Sequence, residues 1–369
     1  MGTLSEQLAR RIESDLTLEQ QAIVNAKGRT VVIACPGSGK TKTVAYRLAK
    51  LLLEWPDPKS GIAILSFTNN AIREIESQIE SLGLEYPLQT PHFLGTIDSF
   101  LTQNLFRPYG HLVMSCTSSP QIVPKEQRAI LQQFMPSDAP KIWISKKKPG
   151  VVHLDNVHYL PSGDLDLSSV PKDVREKISE RYKEALHKAK LEYAKAGLAT
   201  HSDVVYWGYK LLTSERHQWI ADALRTKYGE WIVDEAQDTS DFHERIMNLL
   251  WGSQNITGIL VVGDPDQAIF EWNKAKPDFL LRLKDKEGWN CPPLTENWRS
   301  SQLICNATHP FRNPTLFSKP SPANGPEAGL SVHPILLVFP LNQCQRLPSI
   351  LQILWQTRYV VRPLTWTQN

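Results

Sequence analysis

The chain has 369 residues, with 41 lysines and arginines against 38 aspartates and glutamates, giving a net charge of +3. That length accommodates two or three domains, and so mild a charge excludes nucleic-acid binding through a global field, leaving only a local groove. The cysteines (Cys35, Cys116, Cys291, Cys305, Cys344) form no close pair, which argues against zinc and iron–sulfur sites, and no apolar run is long enough to span a bilayer.

In chain order, the first informative segment is the apolar run Thr30-Val-Val-Ile33, followed by Ala34-Cys-Pro-Gly-Ser-Gly-Lys-Thr41 and a helix-like stretch from Lys42 to Leu53. A strand, a glycine turn and Lys-Thr at a helix start form a phosphate-binding loop, where backbone N–H groups converge on an anionic phosphate chain. Ala34, Cys35, Pro36, Gly37, Ser38, Gly39, Lys40, Thr41 and Lys42 are therefore the expected nucleotide-binding residues. Lys40 supplies charge to the outer phosphates, and the Thr41 hydroxyl is suited to Mg²⁺. A cysteine inside such a loop argues for a reducing compartment, so a soluble cytoplasmic protein is expected.

A second strand is expected at 61–67, and from about 108 to 205 the alternation of strands and helices stops, which reads as an inserted helical subdomain. Its clearest element runs from Pro171 to about Ala196, with Val174, Ile178, Tyr182, Ala185 and Ala189 at helical spacing and Gly197 as C-terminal cap. Glu184 and Lys188 are placed to pair on its exposed side. Lys146-Lys-Lys148 is either a solvated loop or a track for a DNA backbone, and His153, Asp155 and His158 lack the spacing of a metal site.

Further on, Glu230-Trp-Ile-Val-Asp-Glu-Ala-Gln-Asp238 sends a buried-type strand (229–234) into two adjacent carboxylates. Asp234 is expected to hold Mg²⁺ and Glu235 to take a proton from the water attacking the γ-phosphate; the alternative is a simple helix cap. A last strand at 258–263 precedes Gln267, Phe270 and Trp272, and Leu294-Thr-Glu-Asn-Trp-Arg-Ser-Ser301 offers Arg299 to transition-state charge. Trp272 is either a base-stacking platform or a core tryptophan.

Taken together, these motifs resemble the UvrD/Rep family of superfamily 1 DNA helicases in order and content over roughly residues 14–310. Leu16-Thr-Leu-Glu-Gln20 is similar to that family's adenine-reading segment, with Gln20 on the base. Ser66-Phe-Thr-Asn-Asn-Ala71 and Gly95-Thr-Ile-Asp-Ser-Phe100 resemble its single-strand-contact motifs, departing at Asn70, where lysine is common, and at Asp98, where histidine is usual. The resemblance implies DNA contact by Phe67, Thr68, Asn69, Thr96, Phe270 and Trp272. It also implies a γ-phosphate sensor at Gln267, catalysis by Glu235 with Arg299, and ATP with Mg²⁺ as cofactors.

The fold implied is α/β: a P-loop, RecA-like parallel sheet (1–107 and 206–288), the inserted subdomain (108–205), and an incomplete second lobe or aberrant tail (289–369). After Ser301 the only acidic residue is Glu327, the stretch is proline-rich, and His333-Pro-Ile-Leu-Leu-Val-Phe339 alone looks like an opening strand. A truncated or frameshifted product is therefore expected, with weak unwinding or none. The activity implied is ATP-driven 3′-to-5′ movement on single-stranded or tailed duplex DNA, in DNA repair, with a nuclease or repair protein as a further partner. Two alternatives stand beside it: a nucleotide-gated DNA-binding module, and an ATPase subunit of a nuclease or defence complex.

Overall fold

A computed structural model describes residues 3–329 apart from 86–87, 146–147, 253–255, 269–277, 313–315, 317–318 and 327. Six strands form one parallel sheet: β1 (Gly28–Ile33), β2 (Gly61–Ser66), β3 (Phe93–Thr96), β4 (Tyr228–Val233), β5 (Gly258–Gly263) and β6 (Trp289–Asn290). Their spatial order is β6-β1-β5-β4-β2-β3.

The near-continuous apolar runs follow from burial on both faces. Val32, Ile62, Ile64, Ile232, Leu260 and Val262 pack with Val44 and Leu48 of the helix Lys40–Glu54 and with Ile75 and Ile79 of Asn69–Ser81. Their sequence neighbours Val31, Ala63, Leu65, Trp231, Val233, Ile259 and Val261 face the other way. They meet Phe100, Ile220, Met247, Leu250 and Phe279, from helices on the opposite side. This two-sided covering is the doubly wound arrangement expected for an α/β chain.

Two short strands escape sequence reading. β3 has four residues and the edge strand β6 two, too few to show a periodicity. β6 also corrects the boundary expected at 288/289, because Trp289 and Asn290 pair with Arg29 and Thr30 of the first sheet. Residues 289–290 thus continue that lobe rather than open another.

The insertion is not wholly helical. It carries three small strand pairs: Gln121–Ile122 with Leu198–Ala199, Ile142–Ser145 with Lys148–Gly150, and His158–Tyr159 with Leu165–Asp166. Its own apolar cluster joins Leu131, Ile142, Leu154, Val174, Tyr182, Leu186 and Tyr193. The single helix expected from Pro171 to Ala196 is two, Lys172–Arg175 and Glu180–Lys195. Ser179 is the reason for the break: it is extended, and its hydroxyl accepts from the Tyr182 N–H at 3.2 Å, starting a new helix. Gly197 then ends that helix in the left-handed region at φ 77°.

Lys190, within the same helix, has no exposed surface; its ammonium donates to Asp203 Oδ1 and to the Val157 carbonyl, each at 2.7 Å. His158 lies between the hydroxyls of Ser202 and Ser169, and Asp155 faces Arg128. Lys146, Lys147, Glu327 and the segment His333–Phe339 lie outside the described residues. Among the described residues no helix is long and apolar enough to cross a membrane.

Candidate functional site

The site gathers at the C-terminal ends of the central strands, where open α/β sheets hold ligands. After β1 the chain turns through Gly37 (φ 73°) and Gly39 (φ 78°) before the helix Lys40–Glu54 begins. Both glycines sit in the left-handed region that disfavours side chains, and at Gly37 the chain carrying Arg299 also crowds the backbone. A methyl at Gly39 would sit 2.7 Å from Gln20 Nε2; one at Gly37 would sit 2.8 Å from Arg299 Cβ.

Those crowding groups show how the expected nucleotide residues meet. Gln20 is buried: its Oε1 accepts from the Thr17 N–H at 3.1 Å, closing a helix cap, and its Nε2 donates to the Ser38 carbonyl at 2.9 Å. From the far end of the sequence, Trp298 N–H donates to the Gly37 carbonyl at 2.8 Å. The turn carrying Arg299 is held by Asn297, whose Oδ1 accepts the N–H groups of Arg299 and Ser300, both at 2.8 Å. Cys35 is fully buried with its Sγ 3.1 Å from the Thr295 carbonyl, and burial pushes its thiol up. The Lys42 ammonium donates to the Asp15 carbonyl at 2.7 Å and lies 5.7 Å from the Tyr46 ring centre.

The carboxylates stand opposite the loop. Asp234 follows β4 with no exposed surface; its Oδ1 accepts the Glu235 N–H at 2.9 Å, while Oδ2 has no hydrogen-bond partner among the described residues. Burial, then the neighbouring Glu235 charge, pushes Asp234 up to about 7, against the pull of Lys40. Glu235 takes a left-handed backbone at φ 54°, a strained conformation for a non-glycine residue, and its Oε2 accepts from Gln237 Nε2 at 2.6 Å. Gln237 passes the network on, its Oε1 accepting the Asp264 N–H at 3.0 Å. Asp264 is also fully buried, raised by desolvation and drawn back by Lys40, and accepts from Gln267 Nε2 at 2.8 Å. Asp238 is pushed up to about 6 by burial and by Glu235.

A buried carboxylate oxygen without a hydrogen-bond partner, in a cluster of acids beside one lysine, fits a divalent cation. Asp234 carries that oxygen and the half-buried Thr41 follows Lys40 in the loop, the two residues that could hold it; among the described residues no group of three or more acidic, histidine or cysteine side chains forms a metal cluster.

Of the residues expected to contact DNA, Phe67, Thr68, Asn69 and Thr96 lie together at the ends of β2 and β3, where Ser66 registers with Thr96. Thr68 and Thr96 are helix N-caps, their hydroxyls accepting from the N–H groups of Ala71 and Ser99, both at 3.2 Å. Asn69 is exposed and Phe67 half-buried. Phe270 and Trp272 lie outside the described residues. Sequence reading missed Asn297, Asp264 and Trp298. An Asn two residues before the arginine, and an Asp just past Gly263, were the available signals.

A phosphate loop, a strand-end carboxylate pair and a glutamine at the next strand end, all on a parallel sheet, define a P-loop nucleotide-binding protein. The family model described as the UvrD/REP helicase N-terminal domain matches residues 16–287, and the chain belongs to that family. It is 26% identical over 306 residues to the ATP-dependent DNA helicase PcrA of Leuconostoc citreum, an alignment covering 80% of this chain and 38% of that protein. It is 27% identical over 314 residues to the ATP-dependent DNA helicase Rep of Escherichia coli strain K12, covering 82% and 44%. Against the helicase SRS2 of Saccharomyces cerevisiae the identity is 27%, covering 75% of this chain and 25% of that one. The chain thus spans less than half the length of these relatives.

Proposed function

We propose that this chain binds ATP with Mg²⁺ and hydrolyses it as part of a 3′-to-5′ translocase acting on single-stranded or tailed duplex DNA. The observation that carries this reading is the convergence of Gln20, Trp298 and the Arg299 turn on one phosphate loop facing Asp234 and Glu235. Bare backbone at Gly37 and Gly39 lets N–H groups approach an anionic chain, and Lys40 supplies the countercharge from a site with little water. Magnesium, when bound by Thr41 and Asp234, would spread the charge of the outer phosphates. Glu235 is oriented by Gln237 to accept a proton from water. Gln267, tethered to Asp264, is the sensor at the strand end, and Arg299 is the residue assigned to the developing charge.

The strand-end surface of Phe67, Thr68, Asn69 and Thr96 is the DNA side of this reading, and Phe270 and Trp272 are its proposed stacking residues. Stacking on aromatic faces is sequence-tolerant, which suits a translocase. A nuclease or repair protein is the partner class that fits this reading. Titration with a fluorescent ATP analogue tests the nucleotide half: Lys40→Ala should abolish tight binding, and equal affinities would remove the phosphate loop from the reading. Fluorescence anisotropy with oligonucleotides tests the DNA half.

A further inference from the structure

The turn that carries the proposed γ-phosphate sensor has little packing of its own. Pro265–Gln267 is a three-residue 3-10 turn after β5, and none of its side chains is buried. A turn so short cannot fix a side chain by apolar contact, so polar ties set its position. One tie is local: the Asp264 carboxylate accepts the Asp266 N–H at 3.1 Å and Gln267 Nε2 at 2.8 Å. The other comes from 46 residues further along the chain. Arg312 follows the turn His309–Phe311 with its side chain only 7% exposed. Its Nε donates to Asp266 Oδ2 and its Nη1 to Ser321 Oγ, both at 3.0 Å.

Ser321 belongs to a segment fastened to the turn of Arg299. Asn297 N–H donates to the Pro322 carbonyl at 2.8 Å, Asn324 N–H to the Asn297 carbonyl at 2.9 Å, and Gln302 Nε2 to the Ser321 carbonyl at 3.2 Å. One guanidinium therefore links the Gln267 turn to the segment that braces Arg299. Its charge is felt inside the nucleotide site. Burial raises both the Asp264 carboxyl and the Cys35 thiol; Lys40 and then Arg312 oppose it at Asp264, and Ser321 and then Arg312 oppose it at Cys35. Arg312 lies outside residues 16–287, the part of the chain that the family model matches.

We propose that Arg312 is a positioning residue for the γ-phosphate sensor: it clamps Asp266 against the 321–324 segment and so fixes Gln267 relative to Arg299. The inference rests on the nucleotide reading above and deepens it. Charge and positioning are separable here. Acting by charge alone, Arg312 would attract a polyphosphate and Asp266 would repel it, so their removal would have opposite signs. Acting as a clamp, the two partners fail in the same direction.

The test is titration of fluorescent ATP and ADP analogues, each with Mg²⁺, against the full chain, with folding checked by circular dichroism. Arg312→Ala should weaken ATP binding on the order of tenfold, the weight of one charge-assisted tie, and leave ADP affinity as it was. Asp266→Ala breaks the same tie from the other partner, and decides the matter if Arg312→Ala does not fold; it should weaken ATP alone by a similar factor. With Gln267→Ala already in place, neither change should matter further. Unchanged ATP affinity, tighter ATP binding by Asp266→Ala, equal losses for ATP and ADP, or a loss that persists without Gln267 overturns this proposal while leaving the nucleotide reading intact. A wild-type chain that does not distinguish the two nucleotides removes the sensor and this proposal with it. One that binds neither overturns the whole nucleotide reading.

Discussion

Two fully buried aspartates, one in the insertion and one at the C-terminal end of a central strand, are treated in opposite ways. Asp203 has both oxygens engaged: Oδ1 takes the Lys190 ammonium, and Oδ2 takes the Tyr193 hydroxyl at 2.7 Å and the Thr200 hydroxyl and N–H at 2.8 and 2.9 Å. Burial pushes its carboxyl up, yet the Lys190 charge and these hydrogen bonds outweigh burial and hold it below its ordinary value. Asp234 has one oxygen on a neighbouring N–H and the other unpartnered among the described residues, with like charge beside it, and is pushed up to about 7. A saturated buried charge serves the fold; a buried charge with spare valence is poised for a ligand.

The largest effect that would sharpen this contrast is at the C-terminal end of β4. Glu235→Gln should lower single-turnover ATP hydrolysis by about 10²–10⁴-fold, the usual contribution of a positioned base, while fluorescent-nucleotide affinity is retained. Unchanged turnover would reduce Glu235 to a capping carboxylate.

In the insertion the corresponding change should act on stability alone. Lys190→Met leaves Asp203 buried without its cation and should cost about 3–5 kcal/mol in urea unfolding. The pH dependence has a definite sign. Because the folded carboxyl of Asp203 lies below its unfolded value, its contribution is complete above about pH 4 and is lost as pH falls through the folded value. Asp203→Asn should flatten that acid-side loss in denaturant midpoints measured from pH 5 downward; an unaltered profile would assign it to other carboxylates.

Smaller effects separate the regions further. Asp234→Asn removes an unsatisfied buried charge and should raise the stability of the ligand-free chain by about 1–3 kcal/mol, while weakening Mg²⁺-dependent ATP binding. A loss of stability instead would mean that Asp234, like Asp203, is part of the structural frame. Smallest is Gln20→Ala, which deletes the bond to the Ser38 carbonyl and should weaken ATP binding by about 0.5–1.5 kcal/mol in the same titration.

Much of the first lobe was legible from sequence. The strands expected at 30–34, 61–67, 229–234 and 258–263 appear as Gly28–Ile33, Gly61–Ser66, Tyr228–Val233 and Gly258–Gly263. Long apolar runs buried on both faces leave few alternatives, and each ends in chemistry that needs a strand end. The insertion was harder to read. Strand pairs of two to four residues carry no period, and Ser179 broke a helix that hydrophobic spacing alone would have continued. Lys190 looks like any solvent-facing lysine until Asp203 and the Val157 carbonyl are brought beside it.

By itself the sequence determined the phosphate loop, the carboxylate strand, the order of the motifs and hence the α/β class, because these depend on residue type and local spacing. Only the tertiary structure decided what lies across the chain from what. It set Trp298 and Asn297 against Gly37, turned Lys42 to Asp15, tied Gln267 to Asp264, and placed Arg312 beside Asp266. Such pairings are set by how helices and loops close over a finished sheet. A charge's partner, and therefore its role, is a long-range property that no local pattern encodes.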